Sequence, residues 1–198
     1  LFFDWAGLTQ RTDVTFPSEK PYFNCYAPVK ILEECATIED VIKLYEEYNE
    51  PVFTRAHIMW VDKNGNSIIV EWGEHDLAII RKEGNFQLMT NFYITDPNLG
   101  GRYPCWRYNT ADQMLQNNNV TIDYFSSILD AVHLEGDYPT QYSNIYDLQN
   151  KVVYVYHSHN YNNAIKFNLI DELNKGYHSF ELPSLFTDVK SFPNESKI

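Results

Sequence analysis

The 198-residue sequence has only three cysteines, Cys25, Cys35 and Cys105. So odd and sparse a set makes no disulfide framework, and no two are spaced as a zinc pair. Basic residues are also few: 15 Lys and Arg stand against 27 Asp and Glu, a net charge of −12. No Lys/Arg cluster is longer than two residues. A nucleic-acid binder needs a basic face, so no nucleic-acid partner is expected. No apolar run approaches the roughly 20 residues that cross a bilayer, so no membrane span is expected. There is no phosphate loop, since "NLGGRY" has paired glycines without the GxxxxGK pattern, and no serine sits in a strand–turn–helix elbow. The first residue is Leu1 rather than Met, with no targeting segment at the start. Because a domain rarely begins inside a strand, further residues are expected upstream. Asn-x-Ser/Thr matches at Asn119 and Asn194 are too common to place the protein in a compartment.

What is present is core-forming material. Hydrophobic residues make up 44%, with 15 Tyr and 12 Phe, enough for one domain or a large part of one. "LFFD" reads as a buried strand, and residues 6–30, with Pro17, Pro21 and Pro28, as a long loop. Thr37 caps a helix whose apolar face is Ile38, Val41, Ile42, Tyr45 and Tyr48, ended by Pro51. "RAHIMWVD" and "NSIIVEW" flank Asn64-Gly65, and "HDLAIIRK" and "NFQLMTN" flank Glu83-Gly84. Both pairs read as hairpins, four strands in succession. Helices are expected over 108–117, capped by Asn109 or Thr110, and over 122–133, capped by Thr121 with Ile122, Phe125, Leu129 and Val132 as its stripe. Then "TQYSNIYDL" pairs with "KVVYVYHS", followed by a strand "AIKFN", a helix near 170–175 stopped by Gly176, and "HSFEL". Strands, helices and strands again, joined by hairpins, give an α+β class with antiparallel sheets stacked between helix layers. There is no internal repeat.

Each chemical group has an ordinary reading beside its functional one. The cysteines have no His near them in sequence and read as buried and inert. His157 and His159 lie at strand spacing and could share one face with His178 or Asp171 as a third ligand, but two His at a sheet exit are more often solvated, and no metal is expected. His57 reads as a hydrogen-bonded core residue, and Glu71 and His75 as solvent-facing. Asn91 and Arg107 remain. An amide aimed from a strand end can donate to a developing oxyanion, and an Arg near it can hold a carboxylate or a catalytic side chain. The same two residues also suit a turn start and a solvated helix start.

The order "ATIEDVIKLYEEYN", "AHIMWVDKNGNSIIVEW", "LMTN", "PCWRYNTADQML" and "TQYSNIYDLQNKVVYVYHSHNY" resembles the C-terminal part of the linear amide C–N hydrolases. These are the N-terminal-nucleophile (Ntn) group that includes choloylglycine hydrolase, penicillin V acylase and the acyl-coenzyme A:6-aminopenicillanic acid acyltransferase-like proteins. The resemblance runs from about Leu1 to Phe186. It implies a four-layer αββα sandwich, incomplete at the N-terminus, and a Cys nucleophile freed by processing that lies upstream of Leu1. It places Asn91 as the side-chain oxyanion donor and Arg107 as the family Arg that precedes an aromatic, with Arg102 ranked second. Tyr93, Tyr103 and Trp106 could then line an apolar acyl pocket, with core packing as the alternative. The implied function is cleavage of a small, non-peptide linear amide through an acyl-enzyme, without a cofactor. The chain alone is expected to be inactive, and to be found with its own N-terminal segment as a second chain or as a homo-oligomer. The competing class is a non-catalytic binding or scaffold domain on the same sandwich.

Overall fold

A computed structural model describes residues 1–186. Within them the chain forms two compact units, the first of Leu1–Asn118 and the second beginning at Asn119. Asn194 lies outside the described residues.

The first unit is a helix layer on an antiparallel sheet. Strands β1 (Phe2–Gly7), β2 (Ala56–Val61), β3 (Ser67–Trp72) and β4 (Leu77–Arg81) lie in that order, each antiparallel to the next. Strand alternation sorts β3 by face. Ile68, Val70 and Trp72 join Ile58 and Trp60 of β2 against one helix, while Ser67, Ile69 and Glu71 point to the opposite face. That helix, α2 (Ile38–Glu47), gives Ile38, Val41, Ile42 and Tyr45 to the same core. Its start is a capping box in which Thr37 accepts from the Asp40 amide and the Asp40 carboxylate accepts from the Thr37 amide. Trp60 Nε1 donates to the Tyr45 hydroxyl at 3.1 Å, so the two largest core side chains also satisfy each other's polar atoms.

Four expectations fail here for definite reasons. The fourth strand of this sheet is β1, paired with β2, and "NFQLMTN" is not a strand. Gln87 takes the place of a ladder with its side chain: Nε2 donates to the Ile80 carbonyl and Oε1 accepts from Ser67 Oγ. Residues 6–30 are not all loop. Gly7 ends β1, and α1 (Ala27–Glu34) starts with Pro28, which fits a first helical turn because its missing N–H has no partner there. In the β2–β3 turn only Gly65 has a positive φ, 82°, and Asp62 sets the bend by accepting from the amides of Asn64 and Asn66. Helix α2 stops at Glu47, well before Pro51, which instead opens a short 3-10 turn, Pro51–Thr54.

The last helix of the first unit, α3 (Trp106–Leu115), begins two residues earlier than expected. Cys105 holds the N-cap position, so Asn109 and Thr110 lie inside the helix instead of capping it.

The second unit holds α4 (Ile122–Val132), the antiparallel sheet β5 (Tyr142–Asp147), β6 (Val152–His157), β7 (Ile165–Asn168), and α5 (Leu169–Asn174). Thr121 caps α4 as expected, accepting from the Tyr124 amide. The residues of α4 buried among those described are Ser126 and Ile128, not the expected stripe, whose members are half-buried or partly exposed. "HSFEL" forms no strand. His178 bonds Glu172 and the Gly176 carbonyl, and Phe180 packs on Phe167 at 5.2 Å between ring centres.

Candidate active site

The sheet face away from α2 carries two buried ionisable residues. His57 (β2) and Glu71 (β3) are both fully buried, and His57 Nδ1 lies 2.9 Å from Glu71 Oε2. Glu71 had been read as solvent-facing. Strand alternation turns it inward, and its carboxylate also accepts from the Ile94 amide (3.1 Å), the Thr95 amide (2.7 Å) and the Thr95 hydroxyl (2.7 Å). Burial pushes the Glu71 carboxyl up, but His57, both Thr95 donors and the Ile94 amide outweigh it and hold its pKa below the ordinary value. The second ring nitrogen of His57, Nε2, lies 2.6 Å from the Thr90 carbonyl oxygen. Both ring nitrogens therefore face acceptors, one on the Glu71 carboxylate and one on the main chain.

That pair anchors the residue before Asn91. Asn91 Nδ2 donates to the Gly7 carbonyl at the end of β1 (2.9 Å), and its Oδ1 accepts from Arg107 Nη2 (2.6 Å). The sequence separation of Asn91 and Arg107 thus becomes direct contact. Asn91 does not stand at a strand end; it sits in an irregular segment held by His57 and Gly7. Arg107 reaches it from the first turn of α3, whereas Arg102 is exposed in the preceding loop.

The aromatic candidates separate. Tyr103 and Trp106 are 45% and 53% exposed, and the Phe92 ring packs edge-on against Tyr103 and Tyr108. Tyr93 is only 1% exposed, and its hydroxyl donates to the Thr9 carbonyl at 2.9 Å. The same loop, residues 8–13, is fixed from three sides. Arg11 donates to the carbonyls of Trp72 and Gly73, Thr9 Oγ1 donates to the Gly100 carbonyl, and the Arg11 guanidinium lies 5.9 Å from the Tyr93 ring centre. Gly100 has φ +82°, and a Cβ there would come within 2.5 Å of Thr9 Cβ, so no side chain fits.

Cys105 stands beside this network. Burial raises its thiol pKa, but the Thr90 hydroxyl, the amides of Tyr108 and Arg107 and the Arg107 charge reverse the shift and lower it. Cys35 moves the other way, pushed up by burial and by the nearby Asp40 and Glu34 carboxylates.

A family model described as "Acyl-coenzyme A:6-aminopenicillanic acid acyl-transferase" matches residues 18–166. The chain belongs to this acyl-transferase family. The match spans α2, β2, β3, the Asn91–Arg107 contact and most of the second sheet. Among solved structures, two forms of the conjugated bile acid hydrolase from Clostridium perfringens share its architecture. A mutant aligns at 18% identity with a TM-score of 0.60, and a variant at 17% with a TM-score of 0.64. Each alignment covers 85% of this chain and 70% of the hydrolase. The α+β class with antiparallel sheets is therefore that of the Ntn hydrolases. No protein of curated function matches the chain significantly. For this acyl-transferase family member, spacing alone marked Asn91 and Arg107 as candidates. His57 is the hydrogen-bonded core residue expected, but Glu71 was missed because nothing in a strand sequence says which face a lone carboxylate takes until the partner helix is known.

Proposed function

We propose that this chain supplies the oxyanion-binding part of an Ntn-type cysteine amidase or acyltransferase acting on a small, linear amide C–N bond. The attacking thiolate would come from a segment ahead of Leu1. The observation that carries this reading is the chain of contacts Arg107–Asn91–Gly7. Arg107 fixes the amide oxygen, and Gly7 uses one of the two amide N–H groups. Among the described residues the second N–H has no acceptor and is left to donate. A donor held this rigidly can stabilise a tetrahedral oxyanion without reorganising as charge develops. Tyr103 and Trp106, both exposed, form an apolar wall for the acyl group, and the buried Tyr93 supports the loop beneath it.

The test uses the intact protein with its N-terminal segment and a panel of N-acyl substrates. Asn91→Asp keeps the shape and an acceptor for Arg107 but removes the amide donor and adds a negative charge. It is expected to lower kcat by roughly 10²–10³-fold. Both Asn91→Asp and Asn91→Ala lose the bond to the Gly7 carbonyl, and Ala also strips Arg107 of its acceptor, so unfolding is measured beside activity for each variant. Arg107→Lys should leave activity low, since an ammonium does not reproduce the planar donor that grips Asn91 Oδ1. Full activity in Asn91→Asp would overturn the reading. If the intact wild type turns over no amide, the non-catalytic scaffold stands instead.

A further inference from the structure

The second unit holds a cluster that the amide chemistry does not use. His133, Glu135 and His159 each present one donor atom, and these atoms all lie within 4.8 Å of one another. Sequence spacing had put His159 with His157, and His178 or Asp171 as a third ligand. The backbone breaks that arrangement. Ser158 and His159 have φ of 51° and 64°, consecutive left-handed residues that end the strand alternation after β6. His157 stays buried and stacks on Phe186, 5.2 Å between ring centres, and His178 is engaged by Glu172. His159 turns instead onto His133, with ring centres 4.2 Å apart and planes tilted by 30°.

We propose that His133, Glu135 and His159 form a binding site for a divalent first-row transition cation such as Zn²⁺. The state of His133 argues for it. Its Nδ1 faces the Asp130 main-chain carbonyl, which only accepts, so Nδ1 carries the ring proton. That leaves the Nε2 lone pair directed at Glu135 Oε1, 3.3 Å away. In the neutral ring two acceptors face each other at that distance, an arrangement relieved by a cation between them, whether a proton or a metal ion. Tetrahedral bonds of about 2.0–2.2 Å to nitrogen and oxygen place ligand atoms roughly 3.3–3.5 Å apart, so the His133–Glu135 pair already has ligand spacing. The Glu135 carboxylate is 79% exposed and free to swing the remaining distance toward His159. Behind His133, the Asp130 carbonyl and the Asp130 carboxylate, 3.5 Å from Nδ1, provide the outer support that commonly orients a metal-bound imidazole. Two imidazoles and one carboxylate select a borderline transition ion over Ca²⁺ or Mg²⁺, which prefer all-oxygen sets. A bound ion would tie the end of α4 to the β6–β7 connection, and an open fourth position would hold water.

The site is tested on the full chain after removal of metal with a chelator, titrating Zn²⁺ by calorimetry and Co²⁺ by visible absorption. One equivalent of each should bind, with a Co²⁺ spectrum of low coordination number. Glu135→Gln and His159→Ala should each weaken Zn²⁺ binding more than about tenfold. His75→Ala, at an exposed His–Glu pair in the other unit, should leave it unchanged. Because the Glu135 side chain is exposed, Glu135→Gln reads the site and not the fold. Absence of saturable Zn²⁺ binding would overturn the proposal, as would unaltered affinity in both site variants. Ca²⁺ binding as tight as Zn²⁺ would overturn the assigned class.

Discussion

His57 and Glu71 show how one residue pair sets the position of another. The carboxylate accepts four hydrogen bonds while fully buried, and the imidazole passes the restraint to the Thr90 carbonyl, one residue before Asn91. Replacing the carboxylate leaves buried donors without their acceptor, which typically costs about 1–3 kcal/mol each. Glu71→Gln is therefore expected to lower stability at neutral pH by that order, measured by denaturant unfolding. The acid limb should change as well. The folded Glu71 carboxyl is held below its ordinary 4.5, so its stabilising contribution is complete above that pH and is lost as pH falls through the lower, folded value. Wild-type stability should fall across that window, and the Glu71→Gln curve should be flatter there. An unchanged acid limb would assign the network no share of stability. Asn91 and Arg107 could be marked from sequence by their places after an apolar segment and ahead of a helix, and by the resemblance to the family motifs. Their mutual contact could not, since it depends on where α3 begins.

At the scale of elements, periodicity located most helices and strands, and caps located their starts. Thr37 and Thr121 cap as their side chains dictate. Thr37→Ala should lower the stability of the first unit by about 1 kcal/mol. In thermal unfolding that is a drop of roughly 2–4 °C. No drop would mean that the Asp40 half of the capping box suffices alone. The misread segments share a cause. "NFQLMTN" alternates like a strand, yet the Gln87 side chain and the Thr90 carbonyl are taken by Ile80, Ser67 and His57 on strands of the sheet. In "HSFEL" the same happens through Glu172 and Phe167. Local pattern cannot report hydrogen bonds made to groups elsewhere in the chain.

For the molecule as a whole, the order of motifs carried the family assignment where no single motif could. Among the described residues β1 pairs on one side only, with β2, and so stands at the edge of its sheet. Beside it lies a cavity of about 590 Å³ lined by Phe3, Trp5, Leu8, Tyr26, Val52 and Ile58 among others, with Trp5 56% and Tyr26 62% exposed. An unpaired edge next to apolar surface favours pairing with another strand. The 198-residue chain is therefore expected to associate, with a second copy of itself or with another strand-bearing segment, burying more than about 1,000 Å². Light scattering that shows a monodisperse, cooperatively melting monomer would contradict this.

The loop at residues 8–13 has a kinetic consequence. Its bonds, with that of Gly7 just before it, join residues 84 and 91 positions apart: Gly7 to Asn91, Thr9 to Tyr93 and Thr9 to Gly100. The α2–β2–β3 core, by contrast, is built within residues 38–72. Closing a long loop has an entropic cost that must be met before its contacts form, so the core can assemble first and the site must wait for the two ends of the unit to meet. Run in reverse, mild denaturant should release the contacts of Asn91 and Tyr93 with residues 7–9 while the helix–sheet core still stands.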